Sequence, residues 1–234
     1  MKISVLIPAF NEESNIESTL KGLKDFEKDF CVKWKLDMEL VVIDDGSVDR
    51  TSEKAATCGA RVIKLDNNLG KGGALRQGMK SATGDIVVFL DADLRETSRE
   101  VYKLIEPILN HKADVTIAKF KPVQGRKGFG LVKALARCGI KFFTGKSVST
   151  GLSGQRAFRR EVLEAIGSIP DGYGLEVGML IDILKKGFCV MEVDVDMRHD
   201  VTGRDLKGFL HRGKQFADIL KVLISKLGRR KAVA

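Results

Sequence analysis

No run of apolar residues in this sequence is long enough to cross a bilayer; the longest, such as residues 86–90, are strand-sized. The first residues pass straight into a strand-like segment with no leader pattern, so a cytoplasmic protein is expected. Cysteine is sparse as well. Cys31, Cys58, Cys138 and Cys189 lie far apart, without metal-ligand or redox-pair spacing, and read as reduced thiols. A P-loop is missing: around Lys71, Asp66 stands where the first glycine would be and Gly72 follows the lysine in place of Ser or Thr. No dinucleotide fingerprint follows the first strand, which disfavours a Rossmann dehydrogenase. The basic stretches do not interleave aromatic residues and carry no nucleic-acid motif, so nucleic acid is not an expected partner.

What remains is an ordinary globular composition: 234 residues, 44% hydrophobic and 30% charged, enough for one good core. We expect one catalytic domain over residues 1–202 and a basic amphipathic helix over residues 203–234. The formal charge of +9 is unevenly spread. Residues 119–147 hold eight basic side chains and no acid, and residues 201–234 hold nine against Asp205 and Asp218. The rest of the chain is therefore net acidic, and the asymmetry points to an anionic partner such as a phosphorylated molecule or a membrane surface.

The chain is organised around residues 84–93. Five apolar residues, 86–90, suit a strand buried on both faces of a parallel sheet, and that strand ends on Asp91 and Asp93. Two carboxylates at a strand-to-loop corner can turn toward one hard cation whose shell is completed by phosphate oxygens, or they can cap the helix expected from about Thr97. Residues 3–7 read as the first strand, ended by Pro8. Ile16, Leu20, Leu23, Phe26 and Phe30 recur at helical spacing, with Asn11 as the expected N-cap and Glu12 and Glu13 at the positive end of the dipole. Residues 38–43 form the second strand, which ends in Asp44-Asp45-Gly46-Ser47-Val48-Asp49. Asp44 or Asp45 is expected to accept from a base or ribose, and Asp49 to cap the following helix. After a third strand at residues 61–65, Asn67 to Ala74 leads into a helix; its glycines let backbone approach a ligand, and Lys71 can neutralise phosphate.

Pro8-Ala9-Phe10-Asn11-Glu12-Glu13, Asp44-Asp45-Gly46-Ser47-x-Asp49, Gly70-Lys71-Gly72-x-Ala74-Leu75 and Gly84-Asp85 leading to Asp91-Ala92-Asp93 stand in that order. Together they resemble the family-2 glycosyltransferases of GT-A fold. That resemblance implies an α/β fold with a single mostly parallel nucleotide-sugar-binding sheet flanked by helices. It also implies that Pro8, Phe10, Glu12, Asp45 and Lys71 hold the nucleotide, and that Asp91 and Asp93 hold sugar, diphosphate and metal.

The second half bears on the acceptor. A strand is expected at residues 113–118, then a basic, glycine-containing loop, then a helix with Leu131, Leu135, Ile140 and Phe143 on one stripe. Its basic face, with Lys133, Arg137 and Lys141, is either simply solvated or contacts acceptor or membrane. Residues 151–160 supply a glycine-rich loop and a short strand, and Gly172-Tyr173-Gly174-Leu175-Glu176-Val177-Gly178 opens a helix. These runs, with the later Met197-Arg198-His199, are similar to the glucosyl-3-phosphoglycerate synthases, which sit near the polyprenyl-phosphate sugar synthases. The likeness places Glu176 at donor sugar and acceptor, and His199 beside Asp93 on Mg²⁺ or Mn²⁺. Two departures bear on the acceptor: no threonine matches the family's acceptor loop near Gly125-Arg126-Lys127-Gly128, and Gln155 stands where an acid is expected.

From Gly203 onward, apolar and basic residues alternate at helical spacing and end in Arg229-Arg230-Lys231; such a helix suits an anionic bilayer or a second subunit. The expected activity is metal-dependent transfer of a hexose, glucose from UDP-glucose, onto a phosphate-bearing acceptor, with Asp91 and Glu176 as the catalytic carboxylates. The rivals are transfer onto polyprenyl phosphate at the inner face of the membrane and a non-catalytic nucleotide-sugar-binding protein.

Overall fold

The computed structural model describes residues 1–121, 130–167, 169–198 and 206–231, except the side chains of 206–212 and 228–231. Its centre is one seven-stranded sheet in the order β3-β2-β1-β4-β6-β5-β7. The strands are β1 (Lys2–Ala9), β2 (Asp37–Asp44), β3 (Arg61–Lys64), β4 (Ile86–Phe89), β5 (Val115–Phe120), β6 (Arg156–Arg159) and β7 (Val190–Val195). All are parallel except β6, which runs antiparallel to both β4 and β5.

The period-2 pleat sorts the side chains onto two faces. Leu6, Val41, Ile43, Val87 and Phe89 join one core, while Ile3, Val5, Ile7, Val42 and Val88 join the other. Burial on both faces explains the near-continuous apolar runs of the central strands. Against the second core lie α1 (Ile16–Phe26), α3 (Thr51–Thr57) and α5 (Tyr102–Leu109); against the first lie α4 (Gly70–Ser81), α6 (Leu131–Thr144), α7 (Arg160–Ile166), α8 (Leu175–Lys185) and α9 (Leu206–Lys231). On α1, Ile16, Leu20 and Leu23 are fully buried, each contributing about 1.5–3 kcal/mol of apolar burial. A π-helical turn, Glu27–Cys31, links α1 to the short α2 (Val32–Trp34). Within it Phe30 stacks between Phe26 and Trp34, at centroid distances of 5.3 and 5.6 Å.

Two local expectations are corrected. Pro8 does not end the first strand but lies within it, opposite Ile43. Ala9 and Leu6 send their carbonyls to opposite neighbours, to Asp45 of the β2 side and to Leu90 of the β4 side. Pro8 therefore faces the β4 side, where its missing N–H coincides with the end of the β1–β4 pairing at Leu6 with Phe89, while the pairing with β2 continues to Ala9. Asn11 does not cap α1. It adopts a left-handed backbone (φ 56°), and its Oδ1 accepts from the Val48 N–H at 3.0 Å, tying the ends of β1 and β2 together. Asn15 occupies the cap position.

The order β3-β2-β1-β4 places a topological switch between β1 and β4, so the crevice opens at the carboxyl ends of these strands. Because β6 is reversed, its first residues, not its last, border that edge.

Candidate active site

Residues from six segments meet at this edge. From β4 come Asp91 and Asp93, on a turn held by a buried threonine of α1. The Thr19 hydroxyl donates to the Ala92 carbonyl and accepts from the Arg95 N–H, both at 2.7 Å, so one side chain grips both arms of the turn. Asp93 Oδ1 is a buried carboxylate oxygen.

Lys71, in the first turn of α4, reaches across the crevice. Its Nζ lies 2.6 Å from Asp91 Oδ1 and 3.5 Å from Glu176 Oε1. Burial pulls the Lys71 ammonium down, but the Asp91 and Glu176 carboxylates outweigh that cost and hold it above its ordinary value. The other oxygen of Asp91 accepts from the amide of Gln155, which is buried. Asp91 is thus held from both sides by a cation and an amide, while Lys71 bridges both residues expected to be catalytic.

The wall carrying Gln155 and Glu176 is fixed by Arg156. This arginine is 1% exposed, and its guanidinium donates to three backbone carbonyls: Ser153 at 2.8 Å, Glu176 at 2.9 Å and Gly151 at 3.0 Å. Burial lowers its pKa to about 10, partly offset by the Glu176 charge. A second tether runs from α4, where Arg76 pairs with Asp171 at 2.6 Å and donates to the Ile169 carbonyl at 2.8 Å.

Glycines serve this closure in a way different from the expected ligand approach. A Cβ on Gly72 would sit 2.3 Å from the Pro170 carbonyl oxygen, and one on Gly154 would sit 2.2 Å from Lys71 Nζ. Their missing side chains let two protein segments close around the lysine.

The half of the crevice expected to take the nucleotide is built from β1 and β2. Phe10, 47% exposed, presents a ring at the end of β1. Glu12 accepts from the Asn15 amide at 2.8 Å, and its backbone N–H donates to Thr51. Asp45 accepts from the Leu69 N–H at 2.7 Å and so pins the segment ahead of α4 to the end of β2. Asp44 is turned inward and fully buried: one oxygen accepts from the Ser47 N–H at 2.8 Å and the other from the Ser52 hydroxyl. Both oxygens thus hold the turn that follows β2. Asp49 accepts from the Thr51 N–H in an Asx turn ahead of α3, whose cap position is occupied by Arg50 and not by the expected Asp49.

His199 and the Arg126–Lys127 segment lie outside the described residues, and among the described residues no three His, Cys, Asp or Glu side chains converge as a metal would require. The basic run also divides: Lys119 and Lys121 pair with Asp194 and Asp196 of the neighbouring β7 side, whereas Lys133, Arg137 and Lys141 are exposed on α6.

Sequence reasoning missed Thr19, Arg156 and Arg76. The one available signal was Thr19, a polar residue on the apolar stripe of α1. Arg156 precedes Ala157 and Phe158 in a short strand, and nothing local marks it as buried.

A family model described as Glycosyl transferase family 2 matches residues 4–167. The dolichol-phosphate mannosyltransferase of Pyrococcus furiosus is 31% identical over 220 residues, 87% of this chain and 58% of that protein. The glucosyl-3-phosphoglycerate synthase of Mycobacterium tuberculosis is 34% identical over 202 residues, 77% of this chain and 60% of that protein. The chain thus spans less than two thirds of the length of either relative. A crystal structure of the M. tuberculosis synthase in complex with Mn²⁺, uridine diphosphate and phosphoglyceric acid superposes with a TM-score of 0.79 at 30% identity, covering 97% of this chain and 78% of that one.

Proposed function

The chain belongs to glycosyl transferase family 2, and on that footing we propose that it moves a hexose, glucose from UDP-glucose, onto a phosphate-bearing acceptor with the help of Mg²⁺ or Mn²⁺. The observation that carries the reading is the Lys71 ammonium held between Asp91 and Glu176. Asp91 and Glu176 set two carboxylates against one ammonium, and Asp93 adds a third acid on the turn that carries Asp91. Such a cluster repels a nucleotide diphosphate unless a divalent cation accompanies it. Asp93, with its buried oxygen, and His199 are the residues assigned to that cation, and carboxylate oxygens with one imidazole suit Mg²⁺ or Mn²⁺. When bound, the cation supplies Lewis-acid stabilisation of the departing diphosphate.

The chain's own groups do the rest. Phe10, Pro8, Glu12 and Asp45 line the nucleotide half, and the exposed Phe10 ring offers a stacking face for the base. Lys71 is preorganised to meet charge that develops on the leaving group. Asp91, fixed by Lys71 and Gln155, and Glu176, fixed through Arg156, are placed to accept from sugar and acceptor hydroxyls.

A phosphate-bearing acceptor accords with the phosphoglycerate and dolichol-phosphate named for the two relatives. Transfer onto polyprenyl phosphate is a second reading, favoured by the exposed Leu220 and Ile224 of α9. The test is UDP release from UDP-glucose with Mg²⁺ or Mn²⁺, comparing 3-phosphoglycerate with a short-chain polyprenyl phosphate and using Asp93→Ala as control. Release that requires the glycerate supports the leading reading, and release with the lipid alone supports the second. Binding of the donor with no release under either condition makes the protein a nucleotide-sugar binder and overturns both.

A further inference from the structure

Among its described side chains, α9 packs on the domain through one stripe. Ile219, Leu223 and Lys226 are buried, and the Lys226 ammonium lies 2.6 Å from both oxygens of Asp182 on α8. Against α6 the seam is close: a Cβ on Gly139 would sit 2.6 Å from a Leu223 methyl carbon. Both helices carry a second apolar stripe beside that seam. On α6 it comprises Leu131, 66% exposed, Cys138 and Phe142, 63% exposed. On α9 it comprises Phe216, Leu220, Ile224, 57% exposed, and Leu227.

Helical winding of about 100° per residue fixes where these stripes point. The α6 stripe lies within about 100° of Gly139, on the side away from the buried Ala136 and Ile140. The α9 stripe lies within about 100° of Leu223, on the side away from the buried Ile219 and Lys226. Since α8 packs against the inner side of both helices, the two stripes adjoin on the outer side and form one apolar surface.

The rim of that surface has one sign of charge. Arg137 and Lys141 of α6 and Lys214 and Lys221 of α9 are exposed around it, whereas Lys133 lies on the far side of α6. Neither helix carries an acidic residue except Asp218, which accepts from the Tyr173 N–H at 3.2 Å and lies 3.9 Å from Lys221. A second copy docked symmetrically would bring these cationic rims together without a counter-charge. An anionic bilayer supplies both the hydrocarbon and the negative headgroups. We propose that α6 and α9 jointly form a face that seats on an anionic phospholipid bilayer, with the apolar stripes in the headgroup–acyl boundary. No helix among the described residues is long and apolar enough to cross a membrane, so the contact is peripheral. The opposite side of α9 ties back to the crevice wall: Asp218 accepts from the Tyr173 N–H, three residues before Glu176. The inference stands apart from the transfer chemistry, because vesicle binding is read without turnover.

The experiment is co-sedimentation of the full chain with vesicles of phosphatidylcholine alone and of phosphatidylcholine mixed with phosphatidylglycerol. Two double variants, Leu220→Ser/Ile224→Ser on α9 and Leu131→Ser/Phe142→Ser on α6, are compared after circular dichroism confirms an unchanged fold. The wild type should partition onto the anionic vesicles alone and release as salt is raised, and each double variant should bind at least about tenfold more weakly. Absence of wild-type binding to anionic vesicles overturns the proposal, whatever the variants do. So does binding that neither double variant weakens, or a concentration-dependent dimer that the variants dissociate without any lipid binding.

Discussion

Lys71 and Asp91, twenty residues apart on a helix start and a strand end, meet at 2.6 Å with Gln155 holding the far oxygen of the same carboxylate. Removing the ammonium in Lys71→Met leaves Asp91 and Glu176 without their shared cation and the leaving group without its nearest fixed positive charge. We expect donor-dependent UDP release to fall by about 10²–10³-fold, the usual effect of losing one preorganised electrostatic group. Initial rates at saturating donor measure it, and a loss under about tenfold would remove Lys71 from the leaving-group role.

Gly154→Ala separates activity from stability. The added methyl would crowd the Lys71 ammonium at 2.2 Å, and that ammonium is the free end of a flexible side chain, so the fold accommodates it. A displaced catalytic group nonetheless costs on the order of 10²-fold in rate. The expected result is a thermal midpoint close to wild type with strongly reduced turnover; equal loss of both would make Gly154 a folding residue only.

Arg156→Lys should destabilise. One ammonium cannot reproduce a planar fork that serves three carbonyls, and each buried carbonyl left unsatisfied costs about 1–3 kcal/mol. Urea denaturation should show a loss of about 2–4 kcal/mol. An unchanged midpoint would mean that water replaces the lost donors.

Acid should weaken the fold through Glu39. Burial pushes its carboxyl up, but bonds from Ser4, Thr83 and Lys2 outweigh that and hold it at about 2, against an ordinary 4.5. A carboxyl depressed in the folded state contributes stability that is fully present above its unfolded value and is lost as pH falls through the folded one. The window runs from about 4.5 down to about 2, and the contribution is about 3 kcal/mol. Urea midpoints taken from neutral pH to about pH 3 should decline for wild type more steeply than for Glu39→Gln. Parallel declines would assign the acid sensitivity elsewhere.

The central strands were legible because burial on both faces leaves a continuous apolar run, and Asp91, Lys71 and Glu176 were legible because they stand at element ends. Their mutual geometry was not. Lys71 and Glu176 are joined by no periodicity, and only the folding of α4 and α8 onto the sheet brings them within 3.5 Å. Asp44 and Asp45 show the opposite limit: adjacent acids look equivalent in sequence and both are buried, yet Asp44 turns to Ser47 and Ser52 and Asp45 to the Leu69 N–H. Arg156 was invisible because its partners are backbone carbonyls, which every residue carries.

The reversed direction of β6 separates the two walls of the crevice in length. The parallel strands contribute fixed tips, set by where their ladders end. The opposite wall hangs from the start of β6 and the loop ahead of it, which the Gln155 amide ties to Asp91 and the Arg156 guanidinium ties to Ser153 and Gly151. A change in the length of that loop therefore moves the partner of Asp91 while the parallel strand tips keep their positions.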